Sequence, residues 1–338
     1  METSNKAGSK PDGQGWKVLS RSIVLDYSIW IVLAVIVAVL SLLEPRFLSP
    51  INLTNILLHS AVLGVVVIGE SICLLSGKFD LSVGSTAGLT GALAAWLMVA
   101  GQPAASGWQL DPLVAIPLVL MVGMAIGLFN GFFIAKIGMN PLLTTLATMI
   151  FVRGLALIVT SGESLYEFPA VYRFLGSGSL GPVPMAVLLL LVLLLVFHFI
   201  LKYKKIGRHI YIVGGSAAAA RACGIRVERV EIFAFVMSGL LAAVGGILLS
   251  SRLNSAQTAS GTGMELEVIA AAVIGGISLA GGRGKLINAL AGVLVIQSIG
   301  SGLVLLDVPA FWIRCTTGLI IFLAILIDTL KTRLRWGD

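Results

Sequence analysis

Charge is scarce in this chain of 338 residues: Asp, Glu, Lys and Arg make up 12% of it, and only 16 residues are acidic. So little charge cannot clothe a water-soluble protein of this size. Cysteine is scarcer still. Cys73, Cys223 and Cys315 stand far apart, which excludes a disulfide framework and a thiolate metal site. His59, His198 and His209 lie beside no readable nucleophile or metal-ligand motif, so neither a metal centre nor histidine catalysis is expected. A phosphate-binding loop is also missing. The nearest fragment, GGRGKL at 281–286, has Leu279 where the first glycine belongs and Leu286 in place of the hydroxyl. The turn reads instead as a cytoplasmic hairpin anchored by Arg283 and Lys285.

What the chain does hold is apolar: 57% of its residues are hydrophobic and 39 are glycine. Runs of roughly 20 apolar residues are the length of a bilayer-spanning helix. Ten such segments lie at about 27–43, 56–75, 81–100, 113–135, 142–160, 184–201, 232–250, 266–280, 286–306 and 311–330. The fold class is therefore an all-α polytopic membrane protein. The third segment is broken by Gly84, Gly88 and Gly91, and the eighth is short, so both read as broken or re-entrant helices among the others. Residues 1–26 read as an N-terminal tail, 27–330 as one transmembrane domain and 331–338 as a C-terminal tail. The first run ends in EPRF with no small-residue cleavage site, so it is expected to stay as an uncleaved span. With ten spans both termini share a side. If that side is cytoplasmic, eighteen of the 23 Lys and Arg fall in inside connections and only Arg46, Arg173 and Arg252 outside. The bias fixes cytoplasmic termini by the positive-inside rule, and it explains the net charge of +7 without a nucleic-acid partner.

Polar residues inside the spans are few. Asp80 opens the third segment, where it either caps the helix start or works in gating, with Ser82 beside it. Asp80-Leu-Ser-Val is echoed by Glu265-Leu-Glu-Val five spans later, the spacing of an inverted repeat of five plus five. Glu70 and Arg153 are the deepest ionisable groups and form a candidate pair, as a cross-brace or a substrate site, while Arg314 can snorkel outward. Asn130, Asn140, Thr144, Thr145, Thr148, Asn254, Gln257 and Gln297 are polar but uncharged and suit a hydroxyl-rich solute better than an ion. Most of them need only satisfy helix ends. Gly123, Gly127 and Gly131 recur every four residues on one face and allow close helix packing, within one subunit or along a dimer seam.

One stretch breaks the apolar pattern. Residues 202–231 carry seven Lys or Arg, and within them GGSAAAARACGI has the grammar of a short exposed helix, with Ser216 as N-cap and Gly224 as stop. Such a helix is marginal alone in water. It either docks on a partner through its small side chains and Arg221, or lies on the lipid surface.

This stretch, followed by FAFVMSGLLAAVGGILLSSR, resembles the cytoplasmic coupling loop of permease subunits of bacterial ABC importers for ribose, arabinose, xylose and galactose. SGKFDLSVGSTAGLTGALAA at 76–95, NPLLTTLATMIFVRGLALIVTSG at 140–162 and GMELEVIAAAVIGGISLAGGRGKL at 263–286 are similar to the same family, in its order. The resemblance implies a non-enzymatic subunit of a sugar importer in the bacterial inner membrane. Gly214, Gly215, Ser216, Ala219, Arg221, Gly224 and Ile225 would then touch a separate ATPase. That partner would carry two nucleotide-binding halves in one chain and would hold the ATP and magnesium, with no cofactor on this chain. A periplasmic binding protein would deliver the solute, and a second permease copy, identical or similar, would complete the pathway in the lipid bilayer. Asp80, Ser82, Asn140, Thr144, Thr145, Asn254 and Gln257 are the candidate pathway or gating residues. The rival class, an ion-coupled carrier, would need membrane-embedded carboxylates, and Glu70 is its one good candidate.

Overall fold

The computed structural model describes residues 14–309 together with 311–313, 315–320, 322–323 and 325–326, with side chains described from residue 28 onward. The chain is a bundle of helices. In order they are α1 (Gln14–Leu43), α2 (Pro50–Leu75), α3 (Val83–Met98), α4 (Pro112–Phe132, continued as a π-helical turn over Phe133–Ile137) and α5 (Pro141–Val159). A two-residue strand β1 (Leu165–Tyr166) leads to α6 (Ala170–Ser177), and a minimal hairpin of β2 (Ser179–Leu180) and β3 (Val183–Pro184) leads to α7 (Met185–Tyr203). Then come α8 (Lys205–Gly215), α9 (Ala217–Ala222), α10 (Val227–Leu253), β4 (Ser255–Ala256), α11 (Met264–Ile274) and α12 (Leu286–Leu305). The described residues of 311–326 are helical as well. All ten apolar segments thus contain helix. The structure departs from the sequence reading at the first, where the helix begins at Gln14, inside the stretch read as a tail. No proline or glycine interrupts residues 16–43, so nothing stops the span from running on beyond its apolar part. Residues 1–13, Arg314 and the tail at 331–338 lie outside the described residues.

Several helix starts are written in dipeptides. Ser49, Asp111 and Asn140 each precede a proline, and each accepts a backbone N–H from the first turn: Asn52 at 3.3 Å, Leu113 at 2.8 Å and Leu143 at 3.2 Å. The proline takes the position where no amide hydrogen is needed, and the cap satisfies one that would otherwise be orphaned.

The centre of the bundle is α2 and α10. The most apolar window of α2 is 83% buried within the chain and that of α10 is 61%, against 28% for α4 and for α5. Gly123, Gly127 and Gly131 lie in the seam between α4 and α10, where a Cβ on Gly127 would overlap the carbonyl oxygen of Phe235. Gly239 of α10 answers them, packed on the backbone of Gly123 and Gly127. The glycine face therefore serves packing within the subunit.

α3 and α11 are too short to cross a bilayer. At 1.5 Å per residue their 16 and 11 residues span about 24 and 16 Å, against a hydrocarbon thickness of about 30 Å. Their starts meet: Gly84 packs on the carbonyl of Gly261 and on Glu265, and a side chain on Gly261 would strike Gly84. From there they diverge. The far end of α3 (Ala94, Ala95, Leu97 and Met98) joins Leu165, Phe168 and Tyr172 in one apolar cluster, whereas α11 runs into the 275–285 turn, which packs against Gly77 and Gly214. The two halves of the Asp80/Glu265 echo are thus the heads of two opposed half-length helices.

Candidate functional site

Below the head of α3 lies a closed polar network. Glu70 and Asp80 are both 0% exposed, and one carboxylate oxygen of Glu70 accepts the backbone N–H of Asp80 at 3.2 Å. Asp80 in turn accepts from the backbone N–H of Ser82 at 3.0 Å and from the Ser82 hydroxyl at 2.5 Å. The N-cap of α3 is therefore Ser82 and not Asp80, which sits two residues ahead in an Asx turn. The amide of Asn130 on α4 donates to Asp80 at 3.4 Å and to Ser82 Oγ at 2.9 Å, and its carbonyl accepts from Thr148 of α5 at 2.7 Å. Ser238 of α10 also faces Asp80, without an aligned hydrogen bond. One chain of contacts thus ties α2, the 76–82 loop, α3, α4 and α5 together. Lys78 closes the loop from the other side by pairing with Glu231 at 3.3 Å.

Arg153 and Glu70 do not pair. Arg153 of α5 donates to the carbonyl of Ser260 at 2.5 Å and lies against Gly88, one turn along α3 from the Gly84 that packs on Glu265, while one oxygen of Glu70 accepts from Asp80 and its other oxygen is buried without a hydrogen-bond partner. The proposed cross-brace is replaced by two separate ones, each tying down non-helical backbone. That is the greater need within a membrane, because irregular backbone there has no water to satisfy it.

Between the end of α10 and the start of α11 the chain carries an open cleft of about 270 Å³. Leu249, Leu253 and Met264 supply apolar walls, and Gln257, Ser260, Thr262 and Glu267 supply polar ones. Of the pathway candidates named from sequence, only Gln257 lines it. Asp80 and Ser82 are locked in the network. Thr144 and Thr145 donate back to the carbonyls of Asn140 and Pro141 at 2.8 and 2.9 Å, and Asn140 caps α5. Asn254 holds a left-handed turn after α10, accepting from the N–H of Phe168 at 3.0 Å, beside the β1–β4 pairing. Thr262 and Glu267 were not recognisable from sequence. Glu265 and Glu267 read as one echo motif, and only the turn over 257–263 shows which of them faces open space.

At the opposite end lies the charged loop. α9 forms as its sequence implies, with Ser216 accepting the N–H of Ala219 at 3.2 Å and Gly224 turning the chain at φ +77°. Ala218, Ala219, Arg221, Ala222 and Cys223 are exposed, whereas Ala220 is buried. Arg221 pairs with Glu228 at 3.6 Å, and Ile225 donates to the carbonyl of Ala220 at 3.0 Å to close the turn. Gly214 and Gly215 part company: a Cβ on Gly214 would collide with the carbonyl of Leu75, while Gly215 faces open space. The stretch before α9 contains a second helix, α8, which buries Gly207, Ile210 and Val213. The spacing of Ile206, Ile210 and Val213 was the available signal. Tyr211 of α8 donates to the carbonyl of Gly284 at 3.0 Å, and burial pushes its hydroxyl pKa up, so it stays a donor. Among the described residues no cluster of His, Cys, Asp or Glu is arranged to hold a metal.

Residues 52–327 match the family described as the permease component of branched-chain amino acid transport systems. The chain belongs to this permease family. Across 335 residues, 98% of the permease and 100% of its relative, it is 34% identical to the ribose import permease protein RbsC of Escherichia coli (strain K12). It is 37% identical over 302 residues to RbsC of Bacillus subtilis (strain 168), covering 89% of this chain and 91% of that one. With the L-arabinose ABC transporter permease protein AraH of Azospirillum brasilense it shares 34% identity over 329 residues, 97% of this permease and 93% of the relative. No solved structure matches it.

Proposed function

We propose that this permease is the membrane subunit of an ABC importer for a monosaccharide or a similarly small polyol, in the bacterial inner membrane. The observation that carries the reading is its end-to-end similarity to ribose and arabinose permeases, at 34% identity with nothing left over at either end of the E. coli relative. Two structural features support it. α9 presents a flat face of alanines on a short helix that cannot stand alone in water, as a surface meant for a groove does. The chain also lacks a phosphate-binding loop, so the energy source lies elsewhere.

On this reading α8 and α9 face the cytoplasm, as do both termini, and α9 sits in a separate ATPase subunit with two nucleotide-binding halves that binds ATP and magnesium. A binding protein docks on the opposite side, where the 161–183 connection offers Glu163, Glu167 and Arg173. A second permease copy completes the pathway. Motion of α9 reaches the membrane through short contacts: Gly214 against Leu75, the N–H of Gly282 on the carbonyl of Leu75 at 2.9 Å, and Tyr211 on Gly284. These tie α8 to the end of α2 and to the turn between α11 and α12, so a push on the loop moves the half-length helices.

The test is Ala219→Trp, which places a ring on the exposed face without disturbing buried Ala220. It should abolish stimulation of ATP hydrolysis by loaded binding protein or release the ATPase on purification. Lys204→Ala, at a site stacked on Phe199, should do neither. Full stimulation in Ala219→Trp would remove α9 from the contact. The family description favours one other reading, an amino-acid substrate, and uptake of leucine by the assembled complex would establish it.

A further inference from the structure

Four charged side chains form one cluster where α9 meets the start of α10. Arg221 of α9 pairs with Glu228 at 3.6 Å, and Lys78 of the 76–82 loop pairs with Glu231 at 3.3 Å. Glu228 and Glu231 stand three residues apart within the first two turns of α10, so they share a face, and their like charges repel unless each keeps its cation. Glu231 also feels the charges of Arg221 and Glu228 across that face. The cluster runs inward from the surface that α9 presents: the Arg221 side chain is 59% exposed and that of Glu231 only 8%. An ion pair this far buried gains little over apolar residues of similar size, so stability alone is a weak reason for charge at Lys78 and Glu231.

The inner end of the cluster is fastened to α3. The backbone N–H of Lys78 donates to the carbonyl of Cys73 at the end of α2 at 3.0 Å, and a Cβ on Gly281 would strike Gly77 beside it. Two residues after Lys78, Asp80 enters the network with Glu70 and Ser82 that sets the start of α3. The far end of α3 packs with Leu165, Phe168 and Tyr172 of the 161–183 connection. Resting on the importer reading above, we infer that Lys78 is a positioning residue of the transport cycle, whose pair with Glu231 carries the position of α9 to the head of α3. The contacts of α8 with the 275–285 turn give the loop its hold on α11, and this pair gives it a hold on α3, so the two half-length helices move together. Coupling between sites is reciprocal, so the same pair returns the docking of loaded binding protein on the 161–183 connection to the ATPase.

The test uses the complex of permease, ATPase and binding protein in lipid nanodiscs, where both faces are open to reagents. Exposed Cys223 and Cys315 are replaced by Ser and buried Cys73 is kept. The readout is the ratio of stimulated to basal ATP hydrolysis, with the binding protein saturated in turn with D-ribose, L-arabinose, D-xylose, D-galactose and myo-inositol. In Lys78→Cys the ATPase should stay bound, because α9 is untouched, while the ratio falls by about tenfold, inside the range of roughly 5–150-fold typical of coupling between sites. Treating the assembled variant with aminoethyl methanethiosulfonate, which restores an ammonium on a chain of nearly lysine's length, should recover the ratio. Methyl methanethiosulfonate, which adds bulk without charge, should not. Glu231→Gln should lose the ratio to the same degree, and Lys204→Ala should keep it. A full ratio in Lys78→Cys or Glu231→Gln, loss of the ATPase from either, or the same response to both reagents overturns Lys78 as a positioning residue and leaves the importer reading standing. No stimulation of the unsubstituted complex by any of the five solutes removes the importer reading, and this inference with it.

Discussion

Gly127→Ala adds one methyl group to α4, and the structure dictates that it has nowhere to go. The new Cβ overlaps the carbonyl oxygen of Phe235 and presses on Val236, so it meets backbone on a helix that is itself held by α2 and α3. Alanine gains about 0.5–1 kcal/mol over glycine in a helix interior. Overpacking of a close-packed contact costs about 1–3 kcal/mol, and here no flexible side chain can yield. The net loss should be about 1–2 kcal/mol, a drop of roughly 5–30-fold in the folded-to-unfolded ratio. Gly154→Ala on α5 is the matched control, because nothing lies within 4 Å of its Cβ, and it should keep the propensity gain. Reversible unfolding of the two purified variants in mixed micelles, under one condition, separates these outcomes. Gly239→Ala, on the other side of the same contact, should combine with Gly127→Ala non-additively, since both enlarge one crossing. Equal stability of Gly127→Ala and Gly154→Ala would refute the seam.

In the buried network, Asn130→Leu removes three hydrogen bonds, to Asp80, Ser82 and Thr148. At roughly 0.6 kcal/mol for each interhelical bond in a membrane it should cost about 2 kcal/mol, and Thr148→Val about a third of that by the same unfolding measurement. Glu70→Ala and Arg153→Ala share no partner, so their effects on unfolding should add to within about 0.5 kcal/mol, and marked coupling would show that they touch after all. For topology, a cysteine at Ser216 should be labelled by an impermeant reagent only from the cytoplasmic side, and one at Ser164 only from the other. Labelling of both from one side would contradict an odd number of crossings between them.

The helices were legible because apolar runs of bilayer length are a strong signal, and the Ser, Asp or Asn before Pro50, Pro112 and Pro141 marks three starts. α9 was legible for the same local reasons, a cap at Ser216 and a stop at Gly224. Partnerships were not. Glu70 and Arg153 were matched on charge and depth, but pairing depends on which neighbours the 76–82 and 257–263 segments bring, and non-helical backbone has no periodicity to read. The polar residues of α5 were similarly ambiguous: Thr144 and Thr145 turned back to their own helix, while Thr148, one turn on, reached across to Asn130. The cleft was hidden for a third reason. It is built largely from the non-helical turn between α10 and α11, and only Gln257 among its polar walls stood out in the sequence.

Uptake of labelled monosaccharide into proteoliposomes separates an ATP-driven importer from an ion-coupled carrier, with this permease, its ATPase and its binding protein reconstituted together and each omitted in turn. An importer subunit gives accumulation that requires all three and ATP, persists when ion gradients are collapsed by ionophores, and disappears in the Ala219→Trp variant. Uptake by the permease alone that follows an ion gradient and ignores ATP would contradict it, and would make the chain a secondary carrier.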